Sequence, residues 1–501
     1  MKYTSTRGDR QTCSGAEAIR TGIAGDGGLF VPVSLPGIDL NFLSVRCTYM
    51  EIAAAILGKL LPDYSEAELA QCAAAAYAGF DNSAVAPLVP VGPRFVLELW
   101  HGPTSAFKDM ALQIMPRLLT LALGKTGETS DMLILVATSG DTGKAALEGF
   151  KDVARTNILV FYPSEGVSEV QRRQMVTQEG KNVGVVAVAG NFDDAQTGVK
   201  KIFADGILRQ FLAQKQIKLS SANSINWGRL APQIAYYFSA YQALCDQGTI
   251  RPGEKANFCV PTGNFGNILA GYYARLMGLP IGRLICASND NNVLTEFLRT
   301  GVYDRNRPFF QTTSPSMDIL ISSNLERLLY HATAGDTDRV RGWMNDLNAR
   351  GRYEVDSATL AEIQNVFWSD WADEKDAERM IRQVWQEQNY LLDPHTAVAW
   401  KVAAAYESQA KDGVPTVVLS TASPFKFADT VLRAVGADAV ASDSMQLLQR
   451  LSERTNWRIP AGLADLAAKQ IRHQELCSVD EMPDTVLRFV EKKNSPRADS
   501  L

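Results

Sequence analysis

Short apolar runs alternate with helical patterns from Phe95 onward, and this alternation limits the possible fold more than any other feature. Each run is too short to cross a membrane and is apolar on both faces. Such runs are typical of strands in parallel sheets that helices cover on both sides. We therefore predict an α/β protein with open parallel sheets. The predicted strands are Phe95–Leu99, Met132–Ala137, Ile158–Pro163, Val183–Ala189, Asn257–Gly263, Arg283–Asn289 and Thr416–Thr421.

The chain has 501 residues, more than one hydrophobic core usually serves, so several domains are expected. Residues 1–92 predict a mostly helical N-terminal lead-in domain. Residues 93–220 predict a smaller α/β domain, and residues 221–501 predict a larger one. Between about residues 300 and 392 the strand pattern fades, and charged amphipathic stretches predict a helical insertion within the larger domain.

Composition and missing motifs exclude several classes of function. A formal net charge of -5 provides no general basic surface, so no nucleic-acid partner is expected. The start of the chain has no apolar run behind a basic head, so neither a signal peptide nor a transmembrane helix is expected there. Seven cysteines without a CxxC pair favour a reducing cytoplasm and indicate neither disulfides nor zinc. The HExxH and GxSxG patterns are also missing, so we expect no metal and no ordinary serine hydrolase.

The segment His101–Gln113 carries a single lysine, Lys108, in a mostly uncharged stretch. A lysine that forms a Schiff base must be partly desolvated, because only the neutral amine attacks an aldehyde. The alternative is a surface lysine paired with Asp109, which is the commoner situation for a lysine considered alone.

A loop rich in small residues, Thr138–Leu147, follows a predicted strand and precedes a predicted helix. Exposed backbone N–H groups at such a helix start attract anions. It is not a nucleotide-binding P-loop, which requires a glycine where Thr138 stands and a hydroxyl residue where Ala145 stands. An anion cradle and a plain strand-to-helix turn both remain possible for this loop.

Two further loops end predicted strands. Pro261–Asn267 contains two glycines that could close the backbone around a phosphate, and it lacks the GxGxxG spacing of dinucleotide sites. Ser420–Phe427 offers a hydroxyl for a ring nitrogen and Lys426 for an anion, although such a loop can also simply cap a helix.

Long motifs throughout nearly the whole chain resemble those of threonine synthases, which are fold type II pyridoxal-phosphate enzymes. The motifs occur in order along the sequence. They are Met1–Gly8, His101–Gln113, Ala137–Phe150, Ser224–Gln233, Pro261–Ala274, Ala287–Tyr303, Ser314–Leu329 and Leu392–Ala399.

This resemblance implies a fold type II architecture and a site for pyridoxal 5'-phosphate. Lys108 would hold the cofactor as a Schiff base, and Thr421 would face the pyridine nitrogen. The cofactor phosphate would bind to Gly263, Asn264, Phe265, Gly266 and Asn267. Substrate binding is expected from Thr104, from the carboxylate loop Ser139, Gly140, Asp141 and Thr142, and from a phosphate-binding set of Arg229, Ser316, Asn324, Arg327 and Lys426.

The implied reaction converts O-phospho-L-homoserine and water to L-threonine and phosphate, the last step of threonine biosynthesis. It proceeds by γ-elimination and β-addition of water, with Lys108 as the main proton shuttle. The expected partner is this small-molecule substrate, and no binding to a membrane or to nucleic acid is expected. The chain is expected to be a monomer or a homodimer. Alternatives are a phospho-lyase that releases a keto acid, a threonine dehydratase and a catalytically silent cofactor-binding protein. The intact Ser314–Leu329 motif argues against the dehydratase.

Overall fold

The structure is a computed structural model that describes residues 1–9, 11–40, 46–138, 140–165, 167–437, 439 and 443–494. The strands are β1 (Tyr3–Ser5), β2 (Phe30–Pro32), β3 (Leu88–Val91), β4 (Arg94–Glu98), β5 (Asp131–Ala137), β6 (Thr156–Pro163), β7 (Val183–Val188), β8 (Ile217–Ser220), β9 (Ala256–Pro261), β10 (Ile281–Ser288), β11 (Val302–Asp304), β12 (Arg352–Glu354), β13 (Phe367–Trp371), β14 (Thr416–Ser420) and β15 (Glu475–Cys477).

Helices lie between most of these strands. They are α1 (Gly15–Thr21), α2 (Tyr49–Leu60), α3 (Glu66–Tyr77), α4 (Asp109–Leu112), α5 (Met115–Lys125), α6 (Asp141–Phe150), α7 (Glu169–Val176), α8 (Phe192–Ala204), α9 (Gly206–Gln214), α10 (Trp227–Leu230), α11 (Ile234–Asp246), α12 (Gly266–Leu276), α13 (Val293–Thr300), α14 (Leu325–Ala332), α15 (Thr337–Arg350), α16 (Ser357–Gln364), α17 (Glu374–Gln388), α18 (Pro394–Ala410), α19 (Ala428–Ala434), α20 (Ser444–Thr455), α21 (Ala461–Ala464) and α22 (Met482–Asn494).

Two open sheets organise the described chain. The larger sheet has the order β13-β10-β9-β14-β4-β3, with all neighbours parallel except the antiparallel β3–β4 pair. The smaller sheet has the order β15-β7-β6-β5-β8 and is parallel throughout. Strands β5, β9 and β14 are almost wholly buried, as runs apolar on both faces require. The predicted α/β class with parallel sheets is confirmed.

The strand pairings correct the predicted content of three segments. Residues 300–392 contain helices but also β13, which extends the larger sheet beside β10. This strand is short and alternates buried with half-buried positions, so its apolar pattern is weak. Strand β4 joins the larger sheet although it lies within the segment 93–220. At the other end of the chain, β15 returns to the smaller sheet, and Met482 and Val486 enter that sheet's core.

The loops that carry the predicted site follow the carboxyl ends of strands from both sheets. Helix α6 begins directly after β5, and helix α12 begins after β9. Ligands of open α/β sheets bind at these strand ends. Among the described residues, none of the helices combines the length and apolar character needed to span a bilayer.

Candidate active site

Lys108 stands at the start of α4, on a loop that is fastened to the end of β14. The Phe107 N–H donates to the Thr421 carbonyl at 2.8 Å, and the Ser423 N–H donates to the Ser105 carbonyl at 3.0 Å. Ser105 takes a left-handed conformation with φ 58° to make this close approach. The predicted lysine and the predicted terminal hydroxyl residue, Thr421, are therefore brought together by backbone bonds.

The Lys108 side chain is half-buried, and its amine faces a hydroxyl. Its Nζ is 3.1 Å from Ser316 Oγ. Burial lowers the pKa of Lys108 from 10.5 to about 8; the nearby cations Arg229 and Lys426 lower it further, and Asp141 opposes them. The neutral amine that Schiff-base chemistry requires is therefore far more abundant near pH 7 than it is for an ordinary lysine.

Asp109 does not pair with Lys108, so the alternative of a surface ion pair is wrong. The Asp109 carboxylate accepts bonds from the Thr104 N–H at 2.8 Å and the Thr104 hydroxyl at 2.9 Å. It also accepts from Gln113 Nε2 at 3.2 Å. Burial raises the pKa of Asp109 to about 6 despite these bonds. Asp109 therefore shapes the turn that precedes Lys108.

The glycine loop between β9 and α12 has the features of a phosphate cradle. A Cβ on Gly263 would lie 2.5 Å from the Ser316 carbonyl, so only glycine fits there. Phe265 has φ 60°, and α12 starts with no side-chain cap on its first N–H groups in the described structure. Asn267 Nδ2 is buried and has no hydrogen-bond partner in the described part of the chain. An anion such as a cofactor phosphate fits these unsatisfied donors.

Asn324 contacts this glycine loop directly, and Arg327 holds Asn324 in place. Asn324 Nδ2 donates to the Asn264 carbonyl at 3.1 Å, and Asn324 Oδ1 accepts from Arg327 Nη1 at 2.5 Å. The Arg327 guanidinium also donates to the Phe30 carbonyl at 2.9 Å and the Ile225 carbonyl at 2.6 Å. Burial lowers the pKa of Arg327 to about 10. The predicted contact of both side chains with a substrate phosphate stays a prediction.

Asp141 and Lys426 form a buried ion pair. Lys426 Nζ lies 2.7 Å from Asp141 Oδ1, with side-chain exposures of 0 % and 3 %. Lys426 also donates to the Thr104 carbonyl at 3.0 Å, and Asp141 accepts from Gln171 Nε2 at 2.9 Å. Burial alone would raise the pKa of Asp141, but Lys426 and Lys108 hold it well below its usual range. The cation predicted for the substrate is thus paired with a carboxylate of the protein itself.

The rest of the predicted carboxylate loop is partly fixed. The Thr138 hydroxyl accepts from the N–H groups of Gly140 at 3.0 Å and Gly143 at 2.9 Å. Thr142 is half-buried in the first turn of α6. Ser139 lies outside the described residues.

Arg229 is a buried cation beside Lys108. Its Nη1 donates to the Ala222 carbonyl at 2.8 Å, and no carboxylate of the described residues pairs with it. Burial lowers the pKa of Arg229 to about 10. A buried guanidinium without a carboxylate partner can gain an anion as its counter-charge, so Arg229 suits a substrate anion.

Similar proteins cover almost the same length with the same organisation. Family models described as "Threonine synthase N terminus" and "Threonine synthase, C-terminal" match residues 2–77 and 396–481. The chain is 39 % identical to the threonine synthase of Pseudomonas aeruginosa over 483 residues, which is 96 % of this chain and 95 % of that protein. The chain belongs to the threonine synthase family.

Solved structures of threonine synthases share this fold. The PLP-bound threonine synthase from Brucella melitensis superposes with a TM-score of 0.87 at 38 % identity and covers 99 % of this chain and 100 % of that one. The yeast threonine synthase also gives 0.87, at 32 % identity and 98 % and 99 % coverage. The fold type II prediction is confirmed.

One further relative is longer. The human protein named "Threonine synthase-like 1" is 40 % identical over 452 residues, or 87 % of this chain, and this chain spans 60 % of that relative's length.

Sequence reasoning missed two buried side chains in this threonine synthase family site. His395 Nε2 accepts the Ser316 N–H at 3.2 Å, and His395 Nδ1 lies 2.8 Å from Asp393 Oδ1. Both residues belong to the Leu392–Ala399 motif, which carried the resemblance but suggested no role. A buried aspartate two residues before a histidine was the available signal.

Proposed function

We propose that this chain is a threonine synthase that converts O-phospho-L-homoserine and water to L-threonine and phosphate. The observation that carries the proposal is the half-buried Lys108 amine, with its pKa lowered to about 8, beside an Arg229 that has no carboxylate partner among the described residues and a glycine loop without a side-chain cap. That combination provides a carbonyl-reactive amine with two anion sites near it. The Pseudomonas aeruginosa and yeast relatives that bear the name threonine synthase support the same assignment.

The site fits pyridoxal 5'-phosphate, which the Brucella melitensis relative binds according to its description. Lys108 would hold the cofactor covalently, residues 263–267 would bind its phosphate and the Thr421 hydroxyl would face its ring nitrogen. The phosphate could accept a hydrogen bond from Asn267 Nδ2, which has no partner among the described residues. It could also approach the backbone at Gly263, where no side chain stands in the way. When bound, this cofactor supplies an electron sink next to the amino carbon of the substrate.

The side chains of the protein would supply the remaining work of the reaction. The Lys108 amine, whose pKa is lowered to about 8, takes a proton from the substrate and returns one at another carbon. The Ser316 hydroxyl can accept a bond from the ammonium and donate one to the free amine, so it holds Nζ in both states. Arg229 would bind the phosphate that leaves, and the loop 139–142 with Thr104 would orient the substrate carboxylate.

The proposal extends to the setting of the enzyme. We propose a cytoplasmic enzyme, monomeric or homodimeric, whose partner is its small-molecule substrate and which binds no nucleic acid. The acidic net charge of -5 supports the last point.

A second candidate is a phospho-lyase that releases phosphate and a keto acid. The observation that favours it is the 40 % identity to proteins named "Threonine synthase-like 1", a name distinct from threonine synthase itself. The same lysine and anion sites would serve both reactions, which differ in the step after phosphate leaves.

One incubation of the purified protein with O-phosphohomoserine and added cofactor separates the candidates. Phosphate, threonine and keto acid are quantified together, and Lys108→Ala is run beside the wild type. Equal amounts of phosphate and threonine, lost in Lys108→Ala, would establish the synthase. Phosphate with keto acid would establish the phospho-lyase, and no phosphate from the wild type would refute both substrate assignments.

A further inference from the structure

Behind Lys108 lies a chain of hydrogen bonds that the proposed reaction does not use directly. It runs from Asp393 through His395 and Ser316 to the Lys108 amine. Asp393 and His395 are 1 % and 2 % exposed, so water does not compete for the bond between them. Neither side chain touches Lys108.

The geometry fixes the proton on His395. Asp393 Oδ1 accepts from the backbone N–H of His395 at 3.0 Å and lies 2.8 Å from its ring Nδ1. A carboxylate can only accept, so Nδ1 carries the hydrogen and Nε2 is left with its lone pair. That lone pair accepts the Ser316 N–H at 3.2 Å.

The Ser316 backbone is held by this one side-chain acceptor in a tight turn. Ser316 lies within the 3₁₀ turn Pro315–Met317, where the Met317 N–H donates to the Ser314 carbonyl at 3.0 Å. Fixing the Ser316 backbone fixes its Cα–Cβ bond, and from that position the hydroxyl oxygen lies 3.1 Å from Lys108 Nζ. A shift of the turn would therefore move the only side-chain hydroxyl that contacts the amine in the described structure.

The same dyad is tied to the strand end that carries Thr421. The Thr396 hydroxyl contacts Asp393 Oδ2 and lies 3.1 Å from Ser420 Oγ. Trp100 Nε1 donates to the same Ser420 Oγ at 3.1 Å. Groups on β14 and on the loop after β4 thus hold the Asp393 carboxylate in place. That carboxylate in turn orients the ring of His395.

We propose that Asp393 and His395 are positioning residues for Lys108, acting through the Ser316 N–H to set the Ser316 hydroxyl against the amine. This inference rests on the proposed function for its kinetic consequence, but the position of the amine can be tested without turnover. In the proposed reaction the Lys108 amine takes a proton from one carbon of the substrate and returns one at another. A displaced Ser316 hydroxyl would lengthen both proton transfers.

The test compares His395→Leu, which removes the acceptor, with His395→Gln, which can place an amide oxygen near the position of Nε2. Ser316→Ala and the His395→Leu/Ser316→Ala double variant complete a cycle. His473→Leu is the matched control, because His473 is a half-buried histidine bonded to the Gln178 carbonyl at 2.9 Å and absent from the site.

Two readouts are measured on each full-length variant. The first is kcat and KM for threonine formation by the cofactor-loaded enzyme. The second is the pH midpoint of Lys108 acetylation by acetic anhydride in the cofactor-free protein, followed by mass spectrometry of the Lys108 peptide. Near-UV circular dichroism confirms that each variant is folded.

We expect His395→Leu and Ser316→Ala to lower kcat on the order of tenfold to a hundredfold with little change in KM. Both should lower the pH midpoint of Lys108 acetylation, because the ammonium loses an acceptor that favours its charged form. The double variant should be no worse than either single variant, and His395→Gln should recover most of the rate and the midpoint.

An unchanged acetylation midpoint in a folded His395→Leu variant would overturn the inference, as would additive losses in the double variant. Failure of the proposed function gives a different pattern, since the wild type would then form no threonine while the acetylation cycle still reports on the dyad.

Discussion

The buried pair of Asp141 and Lys426 gives a sharp test of the site's electrostatics through Lys426→Met. The substitution keeps most of the side-chain volume and removes the charge. Asp141 would keep only its bond from Gln171, and the Thr104 carbonyl would lose a donor. Removing one partner of a buried ion pair leaves the other charge uncompensated, at a cost of about 3–5 kcal/mol. Because the two side chains are 0 % and 3 % exposed, we expect about 4 kcal/mol of lost stability at pH 7.

The pH dependence of this loss follows from the pKa of Asp141. In the wild type that pKa is held below the ordinary 3.8, so the stabilisation is complete above about pH 4 and is lost as the pH falls through the folded value. Without Lys426, burial raises the pKa above the ordinary value, and the ionised carboxylate then opposes folding. The free energy of unfolding that Lys426→Met loses should therefore become smaller as the pH falls from 7 to 5.

Urea unfolding followed by tryptophan fluorescence measures these free energies at both pH values. Asp141→Asn in the Lys426→Met background should recover a large part of the loss, because it removes the stranded charge. Lys201→Met is the matched control: its partner Asp480 is 3.7 Å away and 94 % exposed, so we expect less than about 1 kcal/mol. A Lys426→Met deficit below about 1 kcal/mol, or one that Asp141→Asn does not relieve, would refute the buried-pair reasoning.

Three further outcomes are expected. Lys108→Arg should abolish the covalent cofactor absorbance and threonine formation, because a guanidinium stays protonated; retained absorbance would assign the linkage to another residue. Gly263→Ala should raise the dissociation constant for the cofactor at least about tenfold, measured by fluorescence titration, since its Cβ would lie 2.5 Å from the Ser316 carbonyl, and Gly79→Ala, with open space around it, is the control. His101 forms ion pairs with Asp81 at 2.6 Å and Glu98 at 2.8 Å. Burial alone would lower the pKa of His101, but these two carboxylates raise it to about 9, so the stability that the pairs provide is complete below about pH 6.5 and lost as the pH rises to 9. His101→Gln should therefore flatten the urea-derived stability between pH 6.5 and 9 by about 1–3 kcal/mol; an unchanged slope would contradict the ion-pair assignment.

Local pattern was sufficient for much of the fold. Each of the seven predicted strands overlaps an observed one, since runs apolar on both faces form buried parallel strands in either sheet. Strand β13 was missed because its half-buried alternation resembles the helical stretches around it. The return of β15 to the smaller sheet was missed because pairing partners are not encoded within a strand.

For the site, local composition was enough to predict which segments would carry the chemistry: an isolated lysine, two glycine-rich loops and a terminal hydroxyl loop. The roles of the charged residues were decided only in three dimensions. Lys426 is paired with Asp141, whereas the buried Arg229 and Arg327 have no carboxylate partner among the described residues and donate to carbonyl and amide oxygens instead. Charge type is a property of one residue, whereas compensation of that charge depends on which distant segments meet. His395 likewise became part of the site only when α18 packed against the turn that presents Ser316 to Lys108.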